Sequence, residues 1–243
     1  MSFAASDSEF RNRFWIIGAA YGVGFFLYSI DKTPLAIALV HRILGSGVSD
    51  DSAQFGHAVR SIFAGGTLLV LLAALVRSWA TAYLQASVVH DADLHSERLL
   101  ADGPYRHLRN PLYLGHILMA IGIGFLASRI GFVVIVVVNI LIVLRLIARE
   151  EAGLLASQGE SYRRYYDAVP SLLPSISPRV PAGTGQPNWR DGFFGESFVW
   201  GFAAGMAAFT VTLNIVYYYV CMSLGFAVYF LQSYLRSRDK TKL

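Results

Sequence analysis

LYLGHILMAIGIGFLA, residues 112–127, is followed by Ser128 and Arg129 and then by IGFVVIVVVNILIVLRLIA, residues 130–148. Each run comes close to the roughly 20 apolar residues that an α-helix needs to cross the hydrocarbon layer of a bilayer. Because only two residues separate the runs, they are predicted to form a tight transmembrane hairpin. The outer ends of such a hairpin lie on the same side of the membrane.

The rest of the chain also indicates a membrane protein. Hydrophobic residues make up 55% of its 243 residues, too many for a soluble domain with a polar surface. Period-2 alternation is absent, and helices satisfy their own backbone hydrogen bonds in lipid, so we predict an all-α polytopic fold. Six crossings are expected, and residues 34–44 are predicted to form an interfacial or re-entrant helix. The predicted crossings are residues 14–30, 60–84, 112–127 and 130–148, and two helices from the stretch 193–235, divided near 212–214.

The basic residues lie between the apolar runs and form no single basic face, which argues against nucleic-acid binding. The predicted topology places four basic segments on one side of the membrane, and such residues collect on the cytoplasmic side. We therefore expect both termini and the polar loops beside the hairpin to be cytoplasmic. The four segments are Arg11 with Arg13, 98–109, 163–190 and 236–242.

Three regions follow from this topology. Residues 1–86 are predicted to hold N-terminal membrane helices with the interfacial segment, and residues 87–180 a core of loop, hairpin and acidic loop. Residues 181–243 are predicted to hold a linker, a transmembrane helix pair and a basic tail.

Two polar segments, residues 90–115 and 149–174, flank the hairpin and are brought together when it folds. In the first, Asn110 and Pro111 are a helix-start signal, with Asn110 as N-cap. A helix N-terminus attracts anions, and Arg109 would add an ionic partner. The alternative is that these residues only start a helix and that Arg109 contacts lipid phosphate.

The second segment begins with a cluster of charges. Arg145 and Arg149 are four residues apart on a helix and would repel each other unless anions lie nearby. Glu150 and Glu151 follow directly, and charge at this depth is usually functional. The alternative is that these four side chains pair among themselves at the interface. Asn139, midway along the same run, is expected to form a hydrogen bond between helices.

Taken in order, the two segments carry a motif: Gly103, Pro104, Tyr105, Arg109, Asn110, Pro111, Tyr113, Gly115, then Glu150, Glu151, Gly159, Tyr162, Tyr165, Val169 and Pro170. Over residues 99–174 this resembles the isoprenylcysteine carboxyl methyltransferase and phospholipid methyltransferase family of integral membrane enzymes. That family often has His where Asn110 stands, so a role that needs an imidazole there does not carry over. The substitution also points to a different methyl acceptor from that of the prenylcysteine enzymes.

The resemblance implies a methyltransferase that uses S-adenosylmethionine, with membrane lipids around it and a lipid-like or small apolar acceptor. It implies catalytic roles for Arg109, Glu150 and Glu151. It implies cofactor binding by Gly103, Pro104, Tyr105, His107, Leu108, Arg109, Asn110, Tyr113, Gly115, Glu150, Glu151, Tyr162 and Tyr165.

Several alternatives stay open at this point. The tyrosines could instead form an aromatic belt at the membrane surface, which we prefer for Tyr166. His107 or His116 could serve as a base, although a solvated or capping role is more common. His90 and His95 have no third ligand at a fixed spacing, so no metal site is predicted. The rival functions are an NADPH-dependent membrane reductase of the sterol-reductase type and a non-catalytic transporter or scaffold.

Overall fold

A computed structural model describes residues 3–45, 47, 49–90 and 102–240 of the chain. The side chains of residues 85–90 and 239–240 are not described, so the predictions on His90 and His95 lie outside these residues. The described part contains ten α-helices and two short 3-10 helices, which confirms the all-α prediction. The α-helices are α1 (Asp7–Arg11), α2 (Arg13–Phe26), α3 (Leu35–Leu44), α4 (Ala53–His90), α5 (Pro111–Gly124), α6 (Arg129–Gln158), α7 (Glu160–Ala168), α8 (Trp189–Gly195), α9 (Ser197–Thr212) and α10 (Ile215–Lys240).

Judged by helix length, the described helices support fewer membrane crossings than the six that were predicted. Three segments, Ala53–Leu84, Arg129–Gln158 and Ile215–Arg238, are long and apolar enough to cross. A fourth crossing is possible if α8 and α9, bent by 62° at Glu196, act as one. Helices α2 and α5 have 14 residues each, or about 21 Å at 1.5 Å per residue, less than the core of about 30 Å. The six-crossing topology and its orientation therefore remain predictions.

The predicted hairpin is present as α5 and α6, which pack against each other. Ser128 caps α6 by accepting a hydrogen bond from the backbone N–H of Gly131. The turn is held from outside by Asp31, whose carboxylate lies 2.9 Å from the Arg129 guanidinium. The backbone N–H of Leu35, the first residue of α3, also donates to the carbonyl of Ala127. The outer ends of α5 and α6 are thus fixed on the same side of the hairpin.

Helix α6 packs against α2 at two glycines. A methyl group added at Gly131 would clash with the backbone carbonyl oxygen of Gly24, and one added at Gly24 would clash with Ile135. The helices can approach this closely only because both side chains are absent, as is common for helix pairs in membranes.

We expect Gly131→Ala to destabilise the protein by about 1–3 kcal/mol, because backbone cannot move aside as a flexible side chain can. The matched control is Gly153→Ala in the same helix, where an added methyl meets nothing within 4 Å. The control is expected to be neutral or to stabilise by up to about 1 kcal/mol, as alanine favours helix. Unfolding of both variants in detergent, followed by circular dichroism, measures the difference. Equal midpoints would contradict the close packing of α2 on α6.

The segment between α7 and α8 does more than connect the two helices. Backbone N–H groups of Arg109 and Asn110 donate to the carbonyls of Pro170 and Ser171 at 2.8 and 3.1 Å. Farther along, Ser175 and Arg179 donate to the carbonyls of His107 and Arg106. The segment after α7 therefore runs beside residues 106–110 and supports the backbone that leads into α5.

Candidate active site

The two polar segments that flank the hairpin meet at a buried ion pair. Arg109 Nε donates to Glu151 Oε1 at 2.8 Å, and the two side chains are only 8% and 10% exposed. The same carboxylate oxygen accepts from Asn110 Nδ2 at 2.8 Å. The residues that lead into α5 and Glu151 of the acidic pair are thus parts of one cluster, as the folded hairpin requires.

Arg109 is held on several sides. Its Nη1 donates to the carbonyls of Tyr166 and Val169, the latter at 2.6 Å. Its guanidinium carbon lies 3.9 Å from the centre of the Tyr166 ring. Tyr166 is therefore a packing partner of Arg109, although we preferred an aromatic belt for it. With Nε and Nη1 engaged by protein atoms, Arg109 fixes the position of Glu151 and of the end of α7.

Glu150 points to a different place from Glu151. Its Oε1 accepts a hydrogen bond from the Tyr113 hydroxyl at 2.8 Å, which links α6 to the first turn of α5. Both side chains line a large cleft, whereas Glu151 does not. The acidic couplet is therefore divided between one carboxylate that supports the fold and one that faces the cleft.

The cleft has a volume of about 2290 Å³, well above the range of about 300–1,000 Å³ that is usual for small-molecule pockets. Seven of the predicted cofactor-binding residues line it: Tyr105, Arg109, Asn110, Tyr113, Glu150, Tyr162 and Tyr165. These seven residues lie at the outer end of the hairpin. The remaining lining is mainly aromatic and aliphatic, from α2, α5, α9 and α10.

The other six predicted residues lie behind this lining. Gly103 has φ +55°, and an added methyl would clash with the ring of Tyr83. Gly115 packs against the side chain of Arg77 in the same manner. His107 Nδ1 lies 2.9 Å from the carbonyl of Ser175. The last three, Pro104, Leu108 and Glu151, are buried. These six residues shape the backbone around the cleft.

Two local predictions need correction. Asn110 occupies the N-cap position of α5 but makes no side-chain capping hydrogen bond; its amide nitrogen donates to Glu151 and Ser171. The acidic couplet was placed in a loop, yet α6 continues to Gln158 and α7 follows after Gly159. Much of the predicted loop 149–174 is therefore helical, and the site is built from helices as well as loops.

The cations on α6 pair with neither glutamate of the couplet. Arg145 Nη2 lies 2.8 Å from Glu9 Oε2, and Arg149 pairs with Asp7. The backbone N–H of Ala5 also donates to the carbonyl of Arg145 at 3.0 Å. The anions that these arginines require come from α1, so the alternative in which the four charges pair among themselves is wrong.

This attachment of α1 is expected to depend on pH. Hydrogen bonds from Arg145 and from Ser6 lower the pKa of Glu9 to about 2, from an ordinary 4.5. A lowered folded-state pKa means that the stabilisation is complete above pH 4.5 and is lost as pH falls toward 2. Amide hydrogen exchange of residues 7–11 should therefore accelerate, relative to the core, in that window. In Glu9→Gln the exchange should already be fast at neutral pH, and a wild-type pH profile in the variant would contradict the assignment.

Sequence reasoning missed a second buried ion pair at the cleft. Arg77 on α4 donates from Nε to Glu196 Oε2 at 2.7 Å, and Thr81 donates to the other carboxylate oxygen at 2.7 Å. Arg77 Nη1 also donates to the carbonyl of Leu112 at 3.1 Å. The usable signal was a lone arginine inside an apolar run, which indicates a buried partner or a site. The identity of that partner, 119 residues away, has no local signature.

The hydrogen bond expected of Asn139 is present. His116 on α5 and Asn139 on α6 are both buried, and His116 Nε2 lies 2.8 Å from Asn139 Oδ1. This bond joins the two helices of the hairpin, as predicted for Asn139. His116 also lines the cleft.

The tyrosines at the outer end of the cleft keep their protons at physiological pH. Burial, with a further contribution from the Glu151 charge, raises the pKa of Tyr162 to about 12. Burial also raises the pKa of Tyr105 and of Tyr165, whose hydroxyl donates to the Tyr105 carbonyl at 2.9 Å. These side chains thus offer neutral hydroxyls and aromatic faces.

Residues 61–158, which contain α5, the hairpin turn and the acidic couplet, match the model of a family described as phospholipid methyltransferase. The family resemblance inferred from the sequence is thereby confirmed, and the family is one of membrane methyltransferases. The chain is 25% identical over 112 residues to the cobalt-zinc-cadmium resistance protein CzcN of Cupriavidus metallidurans, a match covering 46% of this chain and 49% of that protein. The chain thus spans about half the length of this curated relative. No solved structure matches.

Proposed function

We propose that the protein is an S-adenosylmethionine-dependent methyltransferase that acts on a lipid-like or apolar acceptor. The observation that carries the proposal is the cleft itself. Its polar end is formed by Glu150, Tyr113 and neighbouring residues of the segment matching the methyltransferase family. It then continues between membrane helices.

The polar end has the chemistry that this cofactor requires. The cofactor carries a sulfonium cation, an ammonium group, a carboxylate and an adenine ring. Glu150 supplies a carboxylate for the ammonium group, and the faces of Tyr105 and Tyr162 suit the sulfonium or the adenine. The first turn of α5 after Pro111 presents backbone N–H groups that suit a carboxylate.

The apolar end suits a hydrocarbon chain. Its walls include aromatic side chains from α9 and α10, namely Phe198, Phe202, Tyr218, Phe226 and Phe230. These helices lie outside the segment that matches the family. Selection of the acceptor would then depend on residues outside the matched segment, whereas Tyr105, Tyr113 and Glu150 at the proposed cofactor end lie inside it.

When bound, the cofactor supplies an electrophilic methyl group. The protein's own contribution is to place the acceptor in line with that methyl group and to exclude water from both reactants. The ion pair of Arg109 and Glu151 holds the outer ends of α5 and α6 together, and Glu150 next to it faces the cleft. No side chain needs to form a covalent bond. The family match favours this transferase over the NADPH-dependent reductase.

Calorimetry with S-adenosylhomocysteine in detergent tests the proposal. We expect Glu150→Gln to bind about 10- to 100-fold more weakly, because a hydrogen bond to a charged group contributes about 1.5–3 kcal/mol. Asp167→Asn is the control, since this carboxylate is 59% exposed and pairs with Arg163 on the surface of α7. It should bind as the wild type does. A wild type that binds NADPH and not S-adenosylhomocysteine would overturn the proposal.

A further inference from the structure

One buried histidine in the cleft has a fixed tautomer. Asn139 Nδ2 donates to the Ile135 carbonyl at 2.7 Å, which sets the orientation of the amide and turns Oδ1 toward His116. An amide oxygen only accepts, so His116 Nε2 must carry the proton in this bond. The lone pair of the neutral imidazole is therefore at Nδ1.

This imidazole is close to the proposed cofactor site. His116 and Tyr113 are three residues apart on α5, so they share a face and are separated by about 4.5 Å along the helix axis. Both line the cleft, and Tyr113 contacts Glu150. A ligand that occupies the Glu150 end and extends into the cleft along α5 therefore passes His116.

A second buried polar group, the hydroxyl of Tyr21, lies beside this imidazole. The ring of Tyr21 on α2 stands edge-on to His116, with ring centres 6.5 Å apart. Its hydroxyl is buried and has no hydrogen-bond partner within the part of the chain that the structure describes. Tyr21 also lines the cleft. A buried hydroxyl without a partner is costly, and a polar atom of a ligand at this depth would satisfy it.

We propose that His116 is the general base that accepts the proton of the methyl acceptor, that Asn139 is the positioning residue that fixes its tautomer, and that Tyr21 binds the acceptor's polar group. This inference rests on the proposed function. It specifies the acceptor as an amphiphile with a protonated nucleophile, such as a phenol or thiol, on an apolar chain. The acceptor heteroatom forms a bond to the methyl carbon while the sulfur–methyl bond breaks. The sulfonium becomes a neutral thioether, and the acceptor's proton passes to Nδ1 of His116.

The test uses the full-length protein in detergent with radiolabelled S-adenosylmethionine and three probes. 4-Dodecylphenol and hexadecanethiol carry a proton on the nucleophile, whereas hexadecanoate does not. We expect His116→Gln to lower kcat with the phenol or thiol by about 100-fold or more, the range of general base catalysis. KM and the affinity for S-adenosylhomocysteine should stay within about threefold, since binding groups remain. Asn139→Ala should lower kcat less, because the correct tautomer is then only partly populated.

Several results would overturn the inference. One is an unchanged kcat in His116→Gln, and another is a fall in kcat matched by an equal loss of S-adenosylhomocysteine affinity, which indicates a structural role. A third is a wild type that binds S-adenosylhomocysteine yet labels only hexadecanoate or none of the probes. Nitrogen NMR of the histidine-labelled wild type gives an answer independent of the variants, and a proton on Nδ1 of the neutral ring would overturn the inference. Failure of the wild type to bind S-adenosylhomocysteine refutes the proposed function instead.

Discussion

Replacement of Glu151 by alanine is expected to lower the free energy of unfolding by about 3–5 kcal/mol, the usual cost of removing one partner of a buried ion pair. Glu151 is buried and accepts hydrogen bonds from both Arg109 and Asn110. Without it, the guanidinium of Arg109 is left buried and without its counter-charge. We expect binding of S-adenosylhomocysteine to be lost together with stability, because the backbone entering α5 is held by the same cluster.

Unfolding in detergent and calorimetry measure these two effects. Asp167→Ala is the control for stability, because its exposed pair with Arg163 contributes at most about 0.5 kcal/mol. The double variant Arg109→Met with Glu151→Leu removes both charges. It should recover much of the stability, since apolar pairs often replace buried ion pairs without loss, but it should not recover binding. A Glu151→Ala protein within about 1 kcal/mol of the wild type would contradict the role of the pair.

The hairpin and the meeting of Arg109 with Glu151 were predictable for a physical reason. Two apolar runs separated by Ser128 and Arg129 have one compact arrangement, and that arrangement fixes which flanking residues become neighbours. The hydrogen bond between helices that was predicted for Asn139 has the same reason, because buried polar groups on paired membrane helices bond to each other. Its partner, His116, was not predicted.

The remaining contacts could not be predicted, because they join distant parts of the chain. Nothing in the sequence around Arg145 indicates that its anion is Glu9, 136 residues earlier. The segment after α7 has no periodicity, so its backbone pairing with residues 106–110 leaves no pattern to detect. Which of Glu150 and Glu151 faces the cleft depends on the rotation of α6 about its axis. The sequence did not predict this, because α6 continues past the predicted end of the helix.

For two glycines of the motif, the sequence also did not predict which neighbouring side chains they contact. Gly103 and Gly115 belong to the family motif, and the resemblance implied cofactor contact for both. The structure places the ring of Tyr83 and the side chain of Arg77 where a side chain at Gly103 and at Gly115 would be. A motif records which residues are required, but it does not distinguish contact with a ligand from contact with a neighbouring helix.

The second large effect is expected for Glu196→Ala. Glu196 is 5% exposed and lies at the 62° bend between α8 and α9. It accepts hydrogen bonds from Arg77 and Thr81, and Arg77 also bonds the first turn of α5. We expect a loss of about 3–5 kcal/mol in the free energy of unfolding, because Arg77 is then an unpaired cation at the wall of the cleft.

Comparison of Glu196→Ala with Thr81→Val separates the effect of the ion pair from that of the hydrogen bond donated by Thr81. Thr81→Val leaves the ion pair intact and removes one hydrogen bond to a charged group, so it should cost about 1.5–3 kcal/mol. Hydrogen exchange of α9 should accelerate in Glu196→Ala and much less in Thr81→Val, because only the former removes the ion pair between α4 and the start of α9. Equal effects of the two substitutions would show that the Thr81 hydroxyl, and not the ion pair, holds α9 against α4. Because α9 and α10 wall the apolar end of the cleft, methylation of an amphiphilic probe should then fall more than S-adenosylhomocysteine affinity.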